Sequence, residues 1–205
     1  MMILPMFPLG TVLFPGAVLP LHVFEPRYRA LTGWCLEHDS PLGIVLIERG
    51  SEVGGGDVRF SVGTEARIVE AAALPDGRWV LVLVGERRVR IDRWLGETPF
   101  PRAEVTPLED AAAGPDAAAL RDALQDRVHR ALALKAELGE WAADVSPSLP
   151  DDPALAVWHA AGLGLLGEAD AQRLLETGGL DARLALLSSL LDEELHVLAL
   201  RAWGR

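Results

Sequence analysis

Five prolines, Pro5, Pro8, Pro15, Pro20 and Pro26, break an otherwise almost wholly apolar run from Pro5 to Arg29, PMFPLGTVLFPGAVLPLHVFEPRYR. No single helix survives that spacing. A proline in a helix interior removes a backbone donor and collides with the preceding turn, at about 3 kcal/mol each. The run therefore has to fold as short extended pieces and turns wrapped into a core. Charge enters only at its end, where Glu25, Arg27 and Arg29 stand with His22 and Tyr28 directly after the most hydrophobic segment of the chain.

The rest of the chain divides by period. After a helix opened by Pro26 at its first position and stopped at His38-Asp39-Ser40-Pro41, the stretch Leu42 to Glu48 reads as a strand. Gly54-Gly55-Gly56 precedes Asp57 and strand-like residues, not the Gly-Lys-Ser/Thr ending and helix of a phosphate loop, so it reads as a connector. Val62 to Leu74 and Trp79 to Gly85 form a hairpin about the turn Pro75-Asp76-Gly77-Arg78. A further turn is expected at Gly85-Glu86, then a strand with Val89 and Ile91 on one face and Arg88 and Arg90 on the other. Arg102 to Leu108 is the last strand. Beyond Ala111-Ala112-Ala113-Gly114-Pro115 the apolar period changes from two to three or four, so residues 1–110 are expected to form a β domain and 111–205 a helical bundle. Leu120, Leu124, Val128 and Leu132 mark the first helix of that bundle. Asp152-Pro153 caps a second with Leu155, Trp158 and Leu165 inward, Glu168 to Glu176 is short, and the last starts at Asp181. The last helix carries so wide an apolar face, with Leu186, Leu190, Val197 and Leu200 beside its main stripe, that it serves as core or as a homo-oligomer interface.

Charge and composition exclude several functions. The chain has a formal net charge of -11, and the segments before and after the expected boundary are both acidic, which disfavours binding to nucleic-acid phosphates and to anionic lipid. Cys35 is the single cysteine, so an internal disulfide and a cysteine-rich zinc site are excluded. No apolar run is long enough to span a bilayer, and the first residues lack the basic start and helical apolar core of a signal peptide, which makes the cytoplasm the expected location. The five histidines are scattered, and no HExxH pair or G-x-S-x-G elbow is present. Neither a catalytic set nor a cofactor or metal site is expected. The tryptophans are spread along the chain, as packing anchors are, and do not cluster beside basic residues as a single-strand nucleic-acid site would.

The segments FPLGTVLFPGAVLPLHVFEPRYRAL, VGTEARI, LPDGRWVLVLVGERRVRI and FPRAEV resemble the N-terminal substrate-binding domain of Lon proteases. The resemblance extends into the helices through DDPALAVWHAAGLGLL and AQRLLETGGLDARLALLSSLLDEEL, and is nearest to the free-standing bacterial versions. It implies an α+β fold, in which a β-rich, PUA-like pseudobarrel is followed by a small helical bundle. It also implies a role in recognising protein substrates. Walker A, AAA+ and Ser-Lys peptidase elements are missing, so the chain resembles the recognition part without its engine and is not expected to be an enzyme.

The expected function is thus a non-catalytic module that binds protein or peptide segments, unfolded or apolar, or docks on a partner in protein quality control. RNA or small-ligand binding through the barrel is the alternative. Phe14, His22, Phe24, Glu25, Arg27 and Tyr28 are the candidate protein-binding residues. The strand-to-helix corner they surround serves either as a local ion pair and helix start or as the rim of the binding surface. Arg87, Arg88 and Arg90 are candidate anion contacts, or else an ion-paired strand face.

Overall fold

The structure, a computed structural model, describes residues 2–50, 52, 56–109, 113–140 and 144–203. Two compact units divide it, Met1–Glu109 and Asp110–Arg205.

In the first unit, β1 (Met2–Leu9), β2 (Val18–Val23), α1 (Pro26–His38), β3 (Leu42–Arg49), β4 (Val58–Arg59), β5 (Val62–Ala73), β6 (Trp79–Trp94) and β7 (Arg102–Pro107) follow in order. The sheet runs β1-β7-β6-β5-β3-β4, and an additional parallel pairing of β1 with β3 closes its strands into a ring. β2 is attached outside that path, on β6. This is the expected β-rich pseudobarrel, and the fold is α+β.

The proline-broken run explains itself in this ring. β1 pairs with β7 through Met2 to Pro5 and with β3 through Met6 to Leu9, so Pro5 and Pro8 each have a flank without a ladder partner, where a missing N–H costs little. Both faces of β1 are covered. Phe7 and Leu9 enter one core with Leu13, Val23, Tyr28, Leu31, Leu42, Leu81 and Leu83, while Leu4 and Met6 enter a second with Val45, Val89, Ile91 and Val105. A strand buried on both sides reads as a continuous apolar run.

β6 departs from expectation. It does not turn at Gly85-Glu86 but continues through a bulge, since Ala66 pairs with Gly85 and Glu65 with Arg87, leaving Glu86 as the extra residue. One inserted residue flips the alternation. Odd-numbered Leu81 and Leu83 therefore face the first core and odd-numbered Val89 and Ile91 the second. The loop between β1 and β2 crosses the sheet at this point. Gly16 N–H donates to the Gly85 carbonyl at 2.8 Å, Gly85 N–H to the Ala17 carbonyl at 3.0 Å, and the Thr64 hydroxyl to the Leu13 carbonyl at 2.5 Å. A Cβ at Gly85 would run into the Phe14 carbonyl oxygen, so glycine is what permits the crossing.

In the second unit, α2 (Ala117–Glu137), α3 (Pro153–Ala161), α4 (Glu168–Glu176) and α5 (Leu180–Trp203) follow. The Asp152 carboxylate accepts from Ala154 N–H at 2.8 Å and Pro153 opens α3, the cap that the sequence encodes. Leu124, Val128 and Leu132 of α2 are buried, as are Leu184, Leu187, Leu191, Leu195 and Leu198 of α5, and α5 packs on α2, α3 and α4. One expectation fails. Leu155 points outward, 55% exposed, because the buried stripe of α3 is centred on Val157, Ala160 and Ala161, about 160° away around the helix. The broad apolar face of α5 is only partly internal: Leu190 is buried and Leu186 half-buried, but Val197 and Leu200 are exposed. Arg183 is fully buried, its guanidinium 4.5 Å from the Trp158 ring and its Nε donating to the Thr177 carbonyl at 3.1 Å.

Candidate functional site

The strand-to-helix corner is built by Glu25, which has extended backbone at the N-cap of α1 and whose carboxylate makes no cap bond. It accepts instead from Arg27 Nε at 3.2 Å. Arg27 Nη2 donates to the Glu52 carbonyl at 3.0 Å, and its guanidinium lies 4.4 Å from the centroid of the Tyr28 ring. Phe7 stacks on the same ring at 4.0 Å with planes 14° apart. Two groups that near cannot share one face, so Phe7 and Arg27 hold Tyr28 from opposite sides. Tyr28 is 3% exposed, and its hydroxyl is buried without a hydrogen-bond partner among the described residues. Burial pushes its pKa up to about 12; the charges of Glu25 and Asp57 add to that rise, and those of Arg27 and Arg59 oppose it. A cavity of about 90 Å³ opens here, lined by Phe7, Leu9, Leu21, His22, Val23, Phe24, Glu25, Tyr28 and Glu52.

Arg27 also lines a wider groove of about 680 Å³, with Gly56, Asp57, Val58, Arg59, Trp94 and Glu97. Arg59 sits 4.3 Å from the Trp94 ring, is ion-paired with Asp57, and donates to Glu97 at 3.0 Å. Both members of the Asp57–Arg59 pair are nearly enclosed, with side chains 1% and 6% exposed. Burial works to raise the Asp57 pKa. The Arg59 hydrogen bond, a backbone hydrogen bond and the charges of Arg59 and Arg27 outweigh it and hold the carboxyl below its usual range.

The outer face of β2 and β6 leads to this corner. Cross-strand pairs on that face are Val18 with Val84, Pro20 with Val82 and His22 with Val80, and β5 adds Ala72 beside Val80. Val18 is 63% exposed, Val80 43%, and Phe24, just past the end of β2, 52%. His22 and Phe24 rings are 6.5 Å apart. The β2–β6 band is apolar and uncovered among the described residues of this unit, and β5 flanks it with charge, Glu70 beside Val82 and Arg67 beside Val84.

Of the candidate protein-binding residues, the structure thus gathers His22, Phe24, Glu25, Arg27 and Tyr28 at one corner. Phe14 is not among them: it is 4% exposed, tucked where its loop crosses β6, and offers no surface. The arginine candidates also divide. Arg88 is 4% exposed and pairs across the ladder with Thr64, so the expected shared face with Arg90 is not an exposed stripe. Arg87 makes two hydrogen bonds to Glu65, at 3.0 and 3.1 Å, and Arg90 bonds Asp92 at 2.8 Å. The paired groove of Asp57, Arg59, Trp94 and Glu97 was not singled out from sequence. The residues belong to three separate segments, and only the Asp57-x-Arg59 spacing hints at a pair. Gly54, Gly55 and Trp141 lie outside the described residues. Among the described residues no group of three or more His, Cys, Asp or Glu side chains could hold a metal ion, and no helix is long and apolar enough to cross a membrane.

Residues 3–193 match the family model of the ATP-dependent protease La (LON) substrate-binding domain. The chain belongs to the Lon substrate-binding domain family. Relatives agree: Lon protease 2 of Myxococcus xanthus is 32% identical over 203 residues, covering 97% of this chain and 24% of the relative. Lon protease of Anaeromyxobacter dehalogenans is 30% identical over 203 residues, with the same coverage. The chain therefore spans about a quarter of the length of the Lon proteases it matches. Among solved structures, a Lon N-terminal domain protein from Xanthomonas campestris matches with TM-score 0.66 and 30% identity over 92% of this chain and 98% of that one. The N-terminal domain of a Mycobacterium avium complex Lon protease shares the fold, with TM-score 0.71 and 23% identity over 94% of this chain and 99% of its own.

Proposed function

We propose that this Lon-family domain is a non-catalytic module that binds apolar, unfolded protein segments on the outer face of β2 and β6, with the Phe24 corner as its end. The observation that carries this reading is the cross-strand array of exposed Val18, Pro20 and Val80 with half-buried Val82, running to exposed Phe24. An apolar patch of that kind, rimmed by polar groups, is the usual physical basis for binding protein. An extended segment is the occupant that suits a narrow band of side chains on an outlying strand. The family to which the chain belongs, defined as a substrate-binding domain, and the net charge of -11, which disfavours acidic polymers, support it. RNA binding gains nothing from the arginine strand, since Arg87, Arg90 and Arg93 each meet a carboxylate, Glu65, Asp92 and Glu104.

The test is titration of a reduced, carboxymethylated unfolded protein into the domain, read by calorimetry, beside the variant Val80→Asp. The wild type should bind and the variant should lose at least about tenfold in affinity, as expected when a charge is desolvated against an apolar segment, with an unchanged circular dichroism spectrum. Absence of binding, or equal affinity in the variant, overturns the reading.

A further inference from the structure

The cavity beside Tyr28 permits a narrower statement, which rests on the sheet face being a surface for protein segments. We propose that this cavity is an anchor pocket for one aliphatic side chain of the bound segment, and that a lysine or arginine stands next to that anchor.

Size and stiffness set the anchor. Phe7, Leu9, Leu21 and Val23 wall the cavity, and its lining includes exposed Phe24 and His22, so its mouth meets the end of the outer sheet face. Its volume is about 90 Å³. Benzene is accommodated in a cavity of about 150 Å³, so in this smaller one a branched chain of a few carbons packs more closely than a phenyl ring. The wall cannot easily yield, because Tyr28 is held between Phe7 and Arg27. A pocket formed before the segment arrives binds without an ordering cost.

Charge sets the neighbour. Glu25 is compensated by Arg27 at 3.2 Å. Glu52 accepts from Gly10 N–H but makes no ion pair among the described residues, and it is exposed. The mouth is thus left with carboxylate charge, which attracts a cation and repels an acidic neighbour.

The experiment uses fluorescein-labelled Gly/Ser peptides carrying Leu-Lys, Phe-Lys or Leu-Glu, with fluorescence anisotropy as the readout. The wild type should favour Leu-Lys over Phe-Lys by about tenfold and over Leu-Glu by up to about fivefold. Leu21→Ala enlarges the cavity and should abolish or invert the Leu/Phe preference. Glu52→Gln should abolish the Lys/Glu preference and leave the Leu/Phe preference intact. Each quantity is a ratio within one variant, so a loss of folded protein cannot imitate it. Equal wild-type affinity for Leu-Lys and Phe-Lys, or an unchanged ratio in Leu21→Ala, overturns the anchor; an unchanged Lys/Glu ratio in Glu52→Gln overturns the basic neighbour. Val80→Asp separates this proposal from the one beneath it. Binding that vanishes in Val80→Asp but ignores Leu21→Ala leaves the sheet face and removes the pocket. Binding that follows Leu21→Ala and ignores Val80→Asp leaves the pocket and removes the sheet face. A wild type that binds none of the peptides removes both.

Discussion

β2 and β6 present aliphatic side chains on both faces, yet among the described residues of this unit only one face is covered. Leu81 and Leu83 are 1% and 0% exposed beneath the sheet, while Val80 and Val18 above it are 43% and 63% exposed. Residue type does not separate these faces; position in the register does. Burial converts the inner side chains into stability, and the outer ones retain their transfer free energy for a partner. The comparison is broken most sharply by truncation. Leu83→Ala should destabilise the domain by about 2–5 kcal/mol through lost burial and a residual cavity, measured by urea unfolding. A cost below about 1 kcal/mol would show that the inner face is not the packed one.

Polar pairs show a similar contrast between two places. Arg87–Glu65 and Arg90–Asp92 include half-exposed arginines, whereas Asp57 and Arg59 are nearly enclosed and stacked on Trp94. Asp57→Asn should cost about 3 kcal/mol, because it leaves an enclosed guanidinium short of a counter-charge; Arg90→Gln should cost less than about 1 kcal/mol. Acid unfolding sharpens the difference. The Asp57 pKa is held below its unfolded value, so its contribution is present above the ordinary carboxylate pKa and is lost as pH falls through the folded one. The Asn variant should lose part of the stability drop seen on acidification.

Much of this fold was legible in the sequence because local chemistry and tertiary structure agree. Pro26 opens α1 and Asp152 caps α3. Failures occurred where a long-range crossing decided the outcome. The bulge at Glu86 leaves no mark in an alternation pattern, so β6 read as two strands and Arg88 as sharing a face with Arg90; the loop that crosses here is joined through Gly85 and Thr64, remote in sequence. Phe14 read as a protein-binding residue for the same reason. At the corner, Glu25, Arg27 and Tyr28 were legible as a cluster because they are neighbours in the chain. Phe7, Glu52, Asp57 and Arg59, which give that cluster its cavity and its charge, arrive from elsewhere.

Alkaline titration probes the inner face without touching the outer one. Burial pushes Cys35 up from 9.0 to about 12 and Tyr28 up from 10.0 to about 12. Both are neutral when protonated, so the folded state retains protons that the unfolded chain releases. Stability is therefore complete below about pH 9 and falls as pH rises toward 12, by up to about 1.4 kcal/mol per pH unit for each group. Urea midpoints between about pH 8 and pH 11 should show the slope steepen above pH 10 as Tyr28 joins Cys35. Cys35→Ala should flatten the first part and Tyr28→Phe the second. An unchanged slope in both variants would place the pH dependence elsewhere.

The smallest effect is the most discriminating. Val80→Ser exchanges an apolar for a polar side chain at a position paired with His22 and flanked by Ala72, all exposed. If the outer face contributes nothing to the core, the variant should change unfolding free energy by no more than about 0.5 kcal/mol. Its affinity for an unfolded segment should nonetheless fall severalfold, since one buried aliphatic contact is lost from the complex. A variant that loses stability and binding in proportion would mean that Val80 supports the sheet and has no separate role. One that loses binding alone assigns its apolar surface to the partner.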